Sequence, residues 1–104
     1  MLTAVWLFMR HGRRERALSV CEAVCEEYPR DGAAVAALAE LLLERGDATR
    51  AIEILRGADF PPELVHAGAV LETRALRLAG RTSEAVSRWN RYLEAQKGAA
   101  RKWM

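Results

Sequence analysis

Apolar residues recur at spacings of three and four along most of the chain, the period of a helix that buries one face. The stretches "AAVAALAELLLE" (33–44) and "TRAIEILRGA" (49–58) show it most clearly, and "RGD" (45–47) breaks the rhythm between them. Gly46 suits the position just past a helix end, because without a Cβ it takes a left-handed backbone at no steric cost. Asp47 suits the N-cap of the helix that follows. The break is therefore a corner between two helices. The same reading predicts six helices, at about 2–11, 14–28, 32–45, 48–57, 62–79 and 82–97, with a tail to Met104 that continues the last. Asp31 and Thr82 are the other expected caps, and Pro61 or Pro62 begins the fifth helix, where a missing amide hydrogen costs nothing. The link "RGADFPPE" (56–63) is the one irregular loop. The expected fold class is all-α.

A longer period organises these helices. "GRRERALS" (12–19), "GDATRAIE" (46–53) and "GRTSEAVS" (80–87) align with Gly12, Gly46 and Gly80 spaced 34 residues apart, without a slip. Ala17, Ala51 and Ala85 stand five residues after the glycines, each followed by an aliphatic residue: Leu18, Ile52 and Val86. Four residues before the glycines stand Phe8, Leu42 and Leu76, and nine after them Cys21, Leu55 and Trp89, all apolar. A small alanine lets the second helix of a pair approach the first closely, and the large residues fill the space between successive pairs. These positions resemble the tetratricopeptide repeat, a 34-residue helix–turn–helix unit with a large apolar residue before a corner glycine, an alanine after it and a proline near its end. Pro29 falls where that proline belongs, and Pro61 and Pro62 lie slightly early.

The resemblance covers nearly the whole chain. It implies a single domain, 1–104, of three tandem repeats (about 1–31, 32–65 and 66–104) forming a short right-handed solenoid with a concave groove. By analogy with the family, the groove is lined by Leu2, Trp6 and Met9 in the first repeat. In the second it is lined by Ala33, Ala36, Glu40 and Leu43, and in the third by Ala67, Val70, Arg74 and Arg77.

Composition narrows the chemistry. The 104 residues carry 16 basic and 14 acidic side chains, mixed along the chain, so no single-sign field favours nucleic acid. The basic cluster "RHGRR" (10–14) sits at a corner, diluted by the acidic helix behind it, and reads as a solvated corner rather than a phosphate site. The apolar run Leu2 to Met9 is too short to span a bilayer, and its basic residues follow it, the wrong order for a signal peptide. Cys21 and Cys25 share a helix face without a second Cys or His pair at ligand spacing, so they read as buried structural thiols in a reducing compartment. No cofactor or metal is expected, and the location expected is cytoplasmic. His11 and His66 have no partners at triad-like spacing and no glycine-rich phosphate loop is present, so no enzymatic activity is expected.

Function is then expected to be the holding of a partner. The groove positions are mostly small or apolar and lack the Asn and Lys that carboxylate-clamping repeats display, which suits an amphipathic helix laid in by its apolar face. The first helix, "LTAVWLFM", would leave an apolar outer face where a terminal repeat normally needs a polar one. Trp103 adds a large apolar residue with no repeat position. Length, repeat count and groove character resemble the small tetratricopeptide chaperones of bacterial type III secretion systems, specifically the needle-subunit chaperones. That resemblance implies a cytoplasmic protein that cradles the amphipathic C-terminal helix of a needle subunit and prevents premature polymerisation. It also implies a second, very small helical co-chaperone over the apolar N-terminal part. The alternative is an adaptor or scaffold that holds another cellular protein.

Overall fold

The computed structural model describes residues 14–102, with side chains from 15 to 99. Within that span lie α1 (Arg14–Glu27), α2 (Gly32–Glu44), α3 (Ala48–Gly57), α4 (Val65–Leu78) and α5 (Thr82–Lys102), with a single 3-10 turn, Pro62–Leu64, leading into α4. The helix expected at 2–11 lies outside the described residues. Each helix packs on the next in the chain, and α2 also touches α4. The helices are thus paired in sequence, and the first helix of one pair lies beside the first helix of the following pair.

The two described corners are built alike because their sequences are. Gly46 and Gly80 have φ of 83° and 80°, a backbone that costs an ordinary residue about 1–2 kcal/mol. Around them the same hydrogen bonds recur 34 residues apart. Gly46 N–H donates to Leu43 O and Asp47 N–H to Leu42 O, while Gly80 N–H donates to Arg77 O and Arg81 N–H to Leu76 O. This pairing closes the last carbonyls of the preceding helix.

Helix starts follow the sequence with two corrections, the first being that the helix expected from 62 opens as the 3-10 turn and becomes α-helical only at Val65. The Asp31 carboxylate accepts from Ala33 and Ala34 N–H at 3.0 and 3.3 Å, and that of Asp47 from Arg50 N–H at 3.3 Å. Thr82 is the first residue inside α5 rather than its cap: Ala85 N–H donates to Arg81 O, one residue earlier than expected. Arg81 turns its guanidinium to Glu84 instead, an ion pair one turn into the helix.

The core centres on α2, which buries Val35, Leu38, Ala39, Leu41 and Leu42 because it has neighbours on three sides. Each fully buried leucine contributes about 1.5–3 kcal/mol relative to exposure. Ala17 and Ala51 are wholly buried and Ala85 is 1% exposed. The irregular link before α4 is pinned to the turn before α2. Asp59 N–H donates to Arg30 O at 2.9 Å, and the Arg30 side chain meets the Asp59 carboxylate at 2.9 Å. The Phe60 ring then lies against Gly32 and Gly68, where a Cβ at Gly68 would come within 2.8 Å of it.

Candidate functional site

Helical spacing puts the expected groove residues of each helix on one side. On α2, Ala33, Ala36 and Glu40 are half-buried and Leu43 is buried; on α4, Ala67 and Val70 are half-buried and Arg74 and Arg77 exposed. Leu2, Trp6 and Met9, with Gly12, lie outside the described residues. The N-terminal halves of α2 and α4 therefore offer small apolar groups. At their C-terminal halves Leu43, Arg74, Arg77 and Leu78 border an open cleft of about 420 Å³. That cleft joins one expected residue of α2 to two of α4, and Ala33, Ala36, Glu40, Ala67 and Val70 do not border it. Among the described residues Arg74 and Arg77 have no acidic partner, and Leu78 is 56% exposed.

A buried charge that sequence reasoning missed holds α4 in place. Glu72 is 7% exposed, at the register position that Leu38 fills one repeat earlier. A carboxylate there is costly unless its oxygens are satisfied. Arg56 of α3 reaches Oε2 at 3.3 Å and Arg88 of α5 reaches Oε1 at 2.8 Å, so the triad ties three consecutive helices together. Arg56 also approaches Glu84 of α5 at 3.9 Å. One repeat earlier Glu22 of α1 meets Arg50 of α3 at 2.6 Å, the same two register positions with the signs exchanged. The signal could not be read in advance, because Arg56 and Arg88 stand 16 residues to either side of Glu72, a spacing with no meaning inside one helix.

Between α4 and α5 a second opening of about 280 Å³ is bordered by Thr73, Val86, Trp89 and neighbours. The Thr73 hydroxyl oxygen is buried with no hydrogen-bond partner among the described residues. Trp89 also stacks at an angle on Tyr92, and His66 joins them, its Nδ1 3.0 Å from the Tyr92 hydroxyl.

The reactive groups are quiet. Burial pushes the Cys21 thiol up to about 11, helped by Cys25 and Glu22. Burial raises Cys25 as well, with Asp31 adding to it and Arg50 opposing. Both are free thiols that stay protonated near neutral pH, and the thiolate is the nucleophile and the metal ligand. Among the described residues no three His, Cys, Asp or Glu side chains are grouped to hold a metal ion. No helix among them is long and apolar enough to cross a membrane. The chemistry this arrangement offers is that of faces, small and apolar in places and basic in others.

A family model described as tetratricopeptide repeat matches residues 8–60, just over half of the chain. The match takes in Gly12 and Gly46, and Gly80 repeats their spacing beyond it. No curated protein and no solved structure matches the chain.

Proposed function

The chain belongs to the tetratricopeptide repeat family, and from that premise we propose that it is a non-catalytic protein-binding module. In this reading the face shared by α2 and α4 is a groove that holds an amphipathic helix of a partner. The observation that carries it is the pairing of half-buried small residues at matching register positions on neighbouring helices, Ala33 and Ala36 beside Ala67 and Val70. Small side chains leave room for another backbone to come close, and each apolar methylene that a partner buries contributes about 0.8 kcal/mol. Ala36→Glu and Val70→Glu are the test. Both side chains reach solvent, so helical circular dichroism should stay intact, yet each carboxylate would face apolar partner surface. Capture of the partner in a pull-down should then fall more than tenfold, while Glu53→Lys on exposed α3 should leave it unchanged. Normal capture by both glutamate variants would refute the groove.

The partner we propose is a needle-type subunit of a secretion system, with the chain acting as its cytoplasmic chaperone and a very small helical co-chaperone over the N-terminal apolar segment. The small half of the groove and the apolar "LTAVWLFM" support this reading. Arg74, Arg77 and Glu40, which make the other half of the groove charged, favour the second reading, an adaptor for a partner with polar anchors. Co-expression separates them. A chaperone should be poorly soluble alone and rescued by its client, whereas an adaptor should be soluble and monomeric alone.

A further inference from the structure

The repeat gives a direct comparison for the opening between α4 and α5. Shifted back by 34 residues, its apolar border of Ala85, Val86 and Trp89 becomes Ala51, Ile52 and Leu55, which are 0, 2 and 3% exposed. Its remaining border, Thr73, Arg77, Thr82 and Asn90, becomes Ala39, Leu43, Ala48 and Arg56. The first three of these are buried, and Arg56 reaches across to Glu72 of the next helix. In the earlier pair, α4 packs on both α2 and α3 and lies over this face. In the later pair no described residue covers it, and Val86 is 57% exposed where Ile52 is 2%.

The substitutions between the two faces describe what the uncovered one accepts. The apolar strip is kept, so an apolar helix face still fits. The flanks have changed from Ala39, Leu43 and Ala48 to Thr73, Arg77 and Thr82; Arg77 and Thr82 are exposed to water, while the Thr73 hydroxyl oxygen is buried without a described partner. Asn90 stands where Arg56 receives a carboxylate, and the Arg77 guanidinium also borders the opening, so an amide and a cation flank the apolar strip. A guanidinium and an amide beside an apolar strip call for an acceptor of negative charge.

We infer that the outer face of α4 and α5, which meets the proposed groove only at Arg77, is a docking surface for an amphipathic helix of another protein that packs there as α4 packs on α2 and α3. The docked helix presents small and leucine side chains to Val86 and Trp89 and one carboxylate to Asn90, the place that Glu72 takes toward Arg56 in the pair before.

The chain supplies its own probe. A peptide with the sequence of residues 61–80, acetylated, amidated and fluorescein-labelled, carries α4 with Glu72. Titrated with the full chain, it should show saturable anisotropy. With unlabelled peptide, amide shifts in 15N-labelled chain should gather on Thr73, Val86, Trp89 and Asn90 rather than on Ala36 and Val70. Val86→Glu, at an exposed position that leaves helicity intact, should weaken binding at least tenfold, as should Glu72→Lys in the peptide. Ala36→Glu should not change it. Absence of saturable binding, shifts confined to α2 and the inner residues of α4, or indifference to Val86→Glu would each overturn the inference. So would a Val86-dependent dimer of the chain in sedimentation that the peptide fails to dissociate, since the face would then belong to a second copy.

Discussion

The pair α2–α3 and the pair α4–α5 share a corner, a register and an alanine at the tightest contact, yet one is buried and the other is not. Leu38, Ala39 and Leu43 of α2 become Glu72, Thr73 and Arg77 of α4, so three core positions turn polar over one period. Burial depends less on the residue than on what lies on its far side. The pair α2–α3 has the described helix α1 before it and α4 after it, and the pair α4–α5 has a described helix only before it. The earlier pair can therefore afford nothing but apolar groups, while the later one tolerates charge where an ion pair or water satisfies it.

Exchanging the two register partners should break this comparison hardest. Leu38→Glu would bury a carboxylate at a site 1% exposed, with no guanidinium described beside it. Such a change costs on the order of 4 kcal/mol or more, a large share of what a small domain has. Glu72→Leu removes a charge whose two arginines can turn to solvent, since their side chains are 46 and 22% exposed. It should cost clearly less than Leu38→Glu, because no charge is left buried without a route to water. Urea unfolding of both variants reads the difference, and equal losses would show that the two environments are alike.

A smaller contrast is expected at the alanines. Ala51→Leu must force a side chain into a contact with no room, at about 1–3 kcal/mol. Ala85→Leu borders the 280 Å³ opening and can lean into it, so it should cost clearly less. Matching melting temperatures would mean that the opening is closed in solution.

Much of the frame could be read from the chain because its signals are local. The glycine–aspartate corner at Gly46 and Asp47 needs only neighbouring residues to specify a left-handed turn and a cap, and α3 spans the expected 48–57. Thr82 misled because a hydroxyl three residues before Ala85 looks like a cap, whereas the preceding Arg81 found a different partner in Glu84. Groove positions came from analogy with the repeat family, which says which side of a helix a residue occupies and nothing about what else reaches it. Leu43 is buried and borders the cleft with Arg74 and Arg77, away from the small residues Ala33, Ala36, Ala67 and Val70. Glu72 and its arginines were invisible for the same reason: only the stacking of three helices brings 56, 72 and 88 together.

The smallest effect belongs to Cys21, which occupies the register position of Leu55 and Trp89. Its folded pKa lies near 11, above the ordinary 9.0, so the folded state holds that proton more tightly than the unfolded chain does. The stability it contributes is fully present below about pH 9 and is lost as pH rises through 11. Between pH 8 and 10.5 the urea midpoint of the parent should fall further than that of Cys21→Ala. Parallel curves would show that the thiol reaches water.

Site-specific photo-cross-linking tests the central claim most directly. A benzophenone side chain placed at position 36 of α2 stands in the proposed groove, and one placed at position 53 stands on the exposed side of α3. Irradiated with the partner bound, the chain should cross-link to it through position 36 and not through position 53, with the attachment mapped by mass spectrometry to the apolar face of a helix. Cross-linking through position 53 alone, or through neither, would contradict a partner held between α2 and α4.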